Sequence, residues 1–135
     1  MTPDTQALLE AARAARLNAY APYSQFAVGA AVLASNGREL AVFAGCNVEN
    51  AAFGSTMCAE RNALAAAVAA GHRDVREILV YTEADVLTTP CGACRQVMQE
   101  LAPAARVHLA SRNGVQRVLN VGELFPDPFD GGSLA

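Results

Sequence analysis

The order of its apolar segments is the feature that most restricts how this chain can fold. A helical repeat runs from Pro3 to about Asn18, with apolar residues along one face. Two strand-like runs follow, at 27–34 and 39–46, and they flank Asn36-Gly37, a dipeptide typical of tight hairpin turns. The later segments read helix, strand, helix, strand and strand, at 57–71, 76–82, 92–101, 105–110 and 115–120. The predicted order is therefore α-β-β-α-β-α-β-β.

This order predicts an α/β fold, with three layers (α/β/α) around a mixed five-stranded sheet. A strand–helix–strand unit is a crossover that returns its second strand parallel to the first. The last two strands are joined through Ser111–Gly114, which is too short for a parallel return, so they are predicted to be antiparallel. With 135 residues, the chain suits one domain, 1–135, with a single core. The tail from Gly122 has little pattern, but its two phenylalanines indicate that it docks on a protein surface.

The amino-acid composition argues against several classes of function. The chain has no lysine, so Schiff-base chemistry and a Walker-type phosphate loop are both excluded. The net charge is −3 and no basic block occurs, which argues against a nucleic-acid partner. The longest apolar runs span about nine residues, against the roughly 20 of a membrane helix, and no secretory signal precedes them. We therefore expect no membrane partner and a cytoplasmic location, where thiols stay reduced.

Three cysteines are placed where two predicted helices begin. Cys58 opens the helix at 57–71, and Cys91 and Cys94 open the helix at 92–101. In an α/β layer such helix N-termini can lie side by side at the carboxyl ends of parallel strands, where ligands usually bind. The helix dipoles there favour thiolates. Three thiolates suit zinc and leave a fourth position open, as in catalytic zinc sites.

Other uses of these cysteines remain open from the spacing alone. Cys91 and Cys94 form a C-x-x-C pair, which at a helix N-terminus is also typical of thiol redox proteins. The same pair could form a disulfide, although an intracellular chain makes this unfavourable. Both interpretations leave Cys58 and its neighbour Glu60 without a role.

A purely structural zinc site is a further alternative, and it would usually need a fourth protein ligand. The candidates are Cys46, His72 and His108. Cys46, at a strand end, is interpreted as a small buried apolar residue. His72 follows the helix-ending Gly71 and is expected to face solvent or to cap that helix. His108, within a strand, is expected to pack rather than to bind metal.

The charged residues near the cysteines indicate hydrolytic chemistry. Glu60 lies two residues after Cys58 in the same helical turn, where its carboxylate can face a water on the metal instead of binding the ion. Three thiolates on Zn²⁺ sum to a charge of −1, so a nearby cation is needed. Arg61 can donate hydrogen bonds to the cysteine sulfurs, and Arg95 is the second candidate. The alternative for either arginine is a surface ion pair.

Cys58-Ala59-Glu60 and Pro90-Cys91-Gly92-Ala93-Cys94 together resemble the three-cysteine form of the zinc nucleobase deaminase signature. The wider stretches APYSQFAVGAAVL, GCNVENAAFG and PCGACRQV are similar to the small cytidine deaminases of pyrimidine salvage. The resemblance extends from about Ala12 to Phe129. It implies the helix–sheet–helix fold predicted above and a homotetrameric assembly.

The resemblance also implies roles for five further residues in substrate binding. Asn47 and Glu49, which face the same side if the segment is extended, would bind ribose hydroxyls. Phe26 would pack along the pyrimidine face, Ala59 would line the pocket, and Phe129 would enter a neighbouring subunit's site. From the residues alone, Asn47 is more typical of a turn and Glu49 of a solvated side chain, while Phe26 is also typical of a core.

The expected reaction is the hydrolysis of cytidine and deoxycytidine to uridine and deoxyuridine, with zinc as cofactor and Glu60 moving the protons. A deaminase of a blasticidin-type antibiotic would share the zinc motif, but Asn47 and Glu49 favour a plain ribose. A polynucleotide or tRNA deaminase is disfavoured by the acidic balance and by the tight final hairpin. A non-enzymatic zinc-binding module would leave Glu60, next to an open metal position, unexplained.

Overall fold

The computed structural model describes residues 3–134. The α-helices are α1 (Pro3–Arg16), α2 (Ala59–Ala69), α3 (Gly92–Leu101) and α4 (Val121–Leu124). The strands are β1 (Gly29–Ser35), β2 (Leu40–Cys46), β3 (Asp74–Tyr81), β4 (Arg106–Ser111) and β5 (Gly114–Asn120). Short 3₁₀ turns lie at Phe53–Ser55 and Gly131–Leu134. Within the described residues, no helix is long and apolar enough to cross a membrane.

The five strands form one mixed sheet in the order β2-β1-β3-β4-β5. β1 is antiparallel to both β2 and β3, so β2 and β3 run in the same direction with β1 between them. β3 and β4 are parallel neighbours, and β4 pairs with β5 in antiparallel fashion. The predicted mixed five-stranded sheet and its antiparallel final pair are therefore confirmed.

Helices cover both faces of this sheet and give the predicted three layers. Alternation along β1 assigns side chains to the two faces, because successive residues of a strand point in opposite directions. Val32 belongs to the apolar cluster that β1 shares with α2, α3 and α4. Leu33 belongs to the second cluster, where Leu8 and Leu9 of α1 pack against the sheet. The two clusters are the core of the fold.

Two glycines bring helices unusually close to the sheet. A Cβ atom on Gly29 would lie 1.9 Å from the carbonyl oxygen of Ala12 in α1. A Cβ atom on Gly45 would lie 2.6 Å from the backbone nitrogen of Ala63 and 2.8 Å from the carbonyl oxygen of Ala59, both in α2. Neither side has room to shift without moving backbone, so only glycine fits. Gly45 therefore fixes the N-terminal half of α2 directly on β2.

Two helix boundaries differ from the sequence prediction. The helix predicted at 57–71 is α2, at Ala59–Ala69. Ser55 or Thr56 is the residue type that commonly caps a helix, but Cys58 is the N-cap residue of α2 and Ser55 ends the preceding 3₁₀ turn. The C-terminal tail was expected to lack helical structure, yet it begins with α4. Asn120 and Glu123 form a reciprocal capping box around that helix, which allows four residues to be helical.

The three residues considered as a fourth metal ligand have other surroundings. His72 is buried rather than solvent-facing, with its ring 5.0 Å from that of Phe43 and Nδ1 3.2 Å from the Ala70 carbonyl oxygen at the end of α2. His108 packs as expected, with Nε2 2.9 Å from the Glu77 carboxylate. Cys46 is half-buried rather than fully buried.

Candidate active site

The N-termini of α2 and α3 bring three cysteine sulfurs together. Cys58 is the N-cap residue of α2, Cys91 is the N-cap residue of α3, and Cys94 lies in the first turn of α3. The Cys58 and Cys91 sulfurs are 3.6 Å apart, and those of Cys91 and Cys94 are 3.4 Å apart. All three lie within 4.8 Å of one another. In residues 3–134, no other group of three or more His, Cys, Asp or Glu side chains could hold a metal ion.

This cluster fits zinc on geometry and chemistry. Zinc–sulfur bonds of about 2.3 Å in a tetrahedral arrangement place ligand sulfurs roughly 3.8 Å apart, close to the separations observed. His72 and His108 are engaged elsewhere, so the cluster offers three protein ligands and not four. Three ligands leave one position for a small molecule, which is the arrangement of a catalytic rather than a structural zinc site.

The thiols share protons unequally. The neighbouring Cys94 thiol lowers the pKa of Cys58 to about 5, and Arg61 acts in the same direction. The pKa of Cys94 is raised, first by its interaction with Cys58 and then by burial. Cys58 therefore ionises more easily than Cys94, and binding of a metal would displace the proton held by Cys94.

Glu60 lies beside the sulfurs in the first turn of α2 and is almost fully buried, with 4% of its surface exposed. Burial is the main cause that raises the pKa of its carboxyl group, and the charge of Cys58 adds to the effect. A carboxyl group that is costly to ionise holds a proton more readily at neutral pH, as general acid–base catalysis requires.

A cavity of about 160 Å³ opens onto this group. Of the residues predicted for the site, it is lined by Asn47, Cys58, Ala59, Glu60 and Cys91. The sequence analysis missed five other lining residues, namely Val28, Thr56, Val80, Thr88 and Thr89. Thr88 and Thr89 directly precede Pro90-Cys91, so their position beside a predicted ligand was a usable signal. Val80 gave no such signal, since an apolar residue in a central strand is typical of any core.

The two arginines near the cysteines make different contacts. The Arg61 guanidinium donates to the Thr56 carbonyl oxygen at 2.9 Å and lies 3.7 Å from the Cys58 sulfur. Arg95 donates instead to the carbonyl oxygens of Pro90 and Leu124, both at 2.8 Å. Arg95 thus ties the start of α3 to the end of α4.

A match to a known protein family agrees with this geometry. The model of the cytidine and deoxycytidylate deaminase zinc-binding region matches residues 2–110. The chain belongs to this deaminase family. The family match and the three-cysteine cluster together identify zinc as its cofactor.

Relatives in this deaminase family match along most of the chain. A cytidine deaminase from Halalkalibacterium halodurans is 47% identical over 127 residues, covering 93% of this chain and 94% of the relative. Among solved structures, the cytidine deaminase from Burkholderia pseudomallei has 52% identity and a TM-score of 0.84, covering 96% of this chain and 100% of the other. The cytidine deaminase from Mycobacterium tuberculosis has 35% identity and a TM-score of 0.77, with 96% and 99% coverage.

In this deaminase the residues predicted for sugar binding lie in two adjacent pockets. Asn47 is nearly buried, and its amide bridges two backbone groups, accepting from Val28 N–H at 2.9 Å and donating to the Phe26 carbonyl oxygen at 2.8 Å. Glu49 is partly exposed and lines a neighbouring pocket with Tyr23, Phe53 and others. Thr56 lines both pockets and so marks their border.

The two predicted aromatic residues are exposed and lie outside the cysteine cavity of the single chain. Phe26 is 36% exposed and lines a separate cleft with Arg16 and Glu83. Phe129 is 59% exposed, and its carbonyl oxygen accepts a hydrogen bond of 2.9 Å from the Gln96 amide of α3. Gln96 thus holds the tail against the helix that carries two of the cysteines, with the Phe129 ring left open to solvent.

Proposed function

We propose that this chain is a hydrolase that converts cytidine and deoxycytidine to uridine and deoxyuridine with release of ammonia. The observation that carries the proposal is a buried carboxylic acid, Glu60, beside three converging thiols at the wall of a small cavity. Its relatives are cytidine deaminases, which supports the choice of substrate.

Zinc would be held by Cys58, Cys91 and Cys94. When bound there, it would lower the pKa of a water molecule and so supply a nucleophile near neutral pH. Three thiolates bring more negative charge than one Zn²⁺ neutralises. We propose that Arg61 offsets this charge through its contact with the Cys58 sulfur. Arg95 has only a structural role in this proposal: it fixes the loop before Cys91 by donating to the Pro90 carbonyl oxygen.

Glu60 is proposed to move the protons. It takes a proton from the attacking water and delivers it to N3 of the pyrimidine as the oxygen bonds to C4. It then takes the remaining proton of that oxygen and delivers it to the amino group, which leaves as ammonia while the C4 carbonyl forms. Atoms and charges balance, since one water is consumed and one ammonia released. The raised pKa of Glu60 supports a group that both accepts and donates at neutral pH.

The remaining predicted residues are proposed to bind the nucleoside. Asn47 and Ala59 line the cavity and would orient the substrate there. Glu49, in the adjacent pocket, would accept hydrogen bonds from sugar hydroxyls. Phe26 would cover one face of the pyrimidine. Its position outside the cavity of the single chain is consistent with a site completed only when substrate or other subunits are present.

We further propose a homotetramer in which Phe129 reaches a neighbouring subunit's site. Exposed large apolar side chains support burial between chains, because a folded surface rarely displays many of them together. They include Tyr20, Tyr23, Val48, Phe53 and Phe129. We also propose that 1–135 is one domain, supported by its single sheet. A cytoplasmic role in pyrimidine salvage is supported by the need to keep three free thiols reduced.

A substrate panel tests this function. Zinc-loaded protein is mixed with cytidine, deoxycytidine, cytosine, adenosine, blasticidin and a cytosine-containing oligonucleotide, and the loss of amino-pyrimidine absorbance and the release of ammonia are followed. Turnover of the two cytidine nucleosides alone is the expected result. Turnover of blasticidin or the oligonucleotide without turnover of cytidine would overturn the proposal.

A further inference from the structure

The segment that carries Phe26 is held by one partly exposed carboxylate, that of Glu49. Glu49 Oε1 accepts hydrogen bonds from the backbone N–H groups of Tyr23 at 2.9 Å and Ser24 at 3.1 Å. Glu49 Oε2 accepts a third hydrogen bond, from the Ser24 hydroxyl. The acidic side chain proposed to bind the sugar is thus already bonded to the loop that precedes Phe26.

Ser24 continues this connection to Phe26 itself. While its hydroxyl donates to Glu49, the same oxygen accepts a hydrogen bond of 3.0 Å from the Phe26 backbone N–H. One hydroxyl group therefore joins the Glu49 carboxylate to the backbone of the aromatic residue. Among the described residues, these bonds form an unbroken path from the sugar pocket to the residue proposed to cover the base.

The backbone between Ser24 and Phe26 needs such support. Gln25 has a φ of +56°, in the left-handed region that non-glycine residues seldom adopt. Conformations of this kind persist only where surrounding contacts determine them. The Gln25 N–H donates to the Ala21 carbonyl oxygen at 2.9 Å on one side, and Phe26 N–H donates to Ser24 on the other. Loss of the Ser24 hydroxyl would remove one of these two restraints.

Glu49 still has room for a substrate hydroxyl. An ionised carboxylate offers about four acceptor positions, and the loop occupies three of them. The position left is on Oε2, next to the Ser24 hydroxyl. The hydrogen bond from that hydroxyl is the main cause that lowers the pKa of the Glu49 carboxyl below its usual value. Glu49 is thus an acceptor only, which suits the O–H donors of a sugar.

We infer that Ser24 is a positioning residue that couples sugar binding at Glu49 to the orientation of Phe26 over the pyrimidine. A sugar hydroxyl that bonds to Oε2 shares this oxygen with Ser24, and the Ser24 oxygen in turn fixes the Phe26 backbone. Recognition of the sugar and of the base face then occurs as one event. This inference rests on the proposed function, because it needs a nucleoside with both parts.

Steady-state kinetics of the zinc-loaded protein test it. Ser24→Ala should raise the KM for cytidine by about tenfold, the effect of losing a hydrogen bond to a charged group, with kcat changed less than about twofold. Ser24→Thr keeps the hydroxyl and should restore KM to within about threefold of the unmodified chain. Ser35→Ala is the matched control, since Ser35 also accepts a 3.0 Å hydrogen bond from the backbone N–H two residues on, in the hairpin between β1 and β2.

The sugar dependence separates coupling from simple loop support. 2′,3′-Dideoxycytidine lacks the hydroxyl groups from which Glu49 would accept hydrogen bonds. With this nucleoside, Ser24→Ala should also raise KM, but the factor of increase should be smaller than the factor for cytidine by at least about threefold. Equal factors for the two nucleosides, an unchanged KM for cytidine, or a loss confined to kcat would each overturn the inference. Ser24→Val, which has the shape of threonine without its hydroxyl, gives an independent reading if Ser24→Ala does not fold. An unmodified chain that fails to deaminate cytidine would instead overturn the proposed function.

Discussion

The two halves of the candidate site are built differently. The half that holds the thiols and Glu60 lies on the first turns of two helices, and Cys94 and Glu60 are buried there. Of the residues proposed to recognise the nucleoside, Phe26, Glu49 and Phe129 lie on loops; Phe26 and Phe129 are exposed and Glu49 is partly exposed. The reactive groups are thus fixed by the core of one chain. The positions of the recognition groups depend instead on hydrogen bonds within loops and on the substrate or subunit that covers them.

This difference follows from how each half is anchored. α2 lies directly on β2 because Gly45 leaves no room for a side chain between them. The position of Cys58 and Glu60 is therefore set by sheet packing. Phe26 instead lies on a loop whose backbone is held by hydrogen bonds: its N–H donates to the Ser24 hydroxyl oxygen, and its carbonyl oxygen accepts from the Asn47 amide. Changes in the first half should abolish the reaction, and changes in the second should alter substrate affinity.

The largest effect is expected from removing a buried thiol. Cys94→Ala should leave the site with two sulfurs, so that zinc is lost and turnover falls below detection. Elemental analysis of the purified protein measures the metal, and the cytidine assay measures turnover. Cys46→Ala is the control, because Cys46 is a free thiol outside the cluster. Full zinc content in Cys94→Ala would show that the ligand set is wrong.

The second effect separates proton transfer from metal binding. Glu60→Gln keeps the size and polarity of the side chain but cannot accept a proton. We expect zinc to stay near one per chain while kcat falls by more than about 10³-fold, in the upper part of the roughly 10²–10⁴ range of general acid–base catalysis, because Glu60 serves more than one step.

The control for Glu60 is Glu100→Gln, which changes an exposed carboxylate on α3 and should leave kcat unchanged. If Glu60→Gln retained more than about a tenth of the unmodified turnover, another group would have to be the base. If it lost its zinc, Glu60 would belong to the metal site rather than to proton transfer.

The sequence predicted the fold well where the signals were long or repeated. The order of strands and helices, the antiparallel final pair and the three layers all follow from periodicity and link lengths. α4 was missed because four residues are too few to show a helical period, and its capping box lies in two side chains only. His72 was expected to face solvent or cap α2. Its Nδ1 does lie 3.2 Å from the Ala70 carbonyl oxygen at the end of α2, but its ring is buried against Phe43, a contact between distant segments that no local pattern reveals.

The thiol half of the site was predictable for the same reason. Cys58, Glu60, Cys91 and Cys94 are close together because of helix starts that the sequence marks. The recognition half was harder to predict from the sequence. The hydrogen bonds between Ser24 and Glu49 join residues 25 positions apart, and no recurring sequence pattern marks them. Thr88 and Val80 line the cavity, but their side chains have ordinary roles in most proteins.

Phe129 is the residue through which the recognition half of the site would depend on a second chain. Its ring is open to solvent in the single chain, while its backbone is held at α3 by Gln96. An exposed aromatic ring on a fixed backbone has a cost in water that contact with another subunit would remove. If the proposed tetramer forms, this ring is the recognition group that a neighbouring chain supplies.

Phe129→Ala should therefore give the smallest of these effects: a KM for cytidine raised by about tenfold, the result expected when an aromatic contact is lost, with zinc content and kcat nearly unchanged. Leu134→Ala is the control, since Leu134 is an exposed apolar residue of the same tail with no proposed contact to substrate. Sedimentation of the unmodified chain should give a tetramer at assay concentration. A fully active monomer, or an unchanged KM in Phe129→Ala, would contradict this proposal. One chain would then supply all the residues that bind the nucleoside, without a ring from a neighbouring subunit.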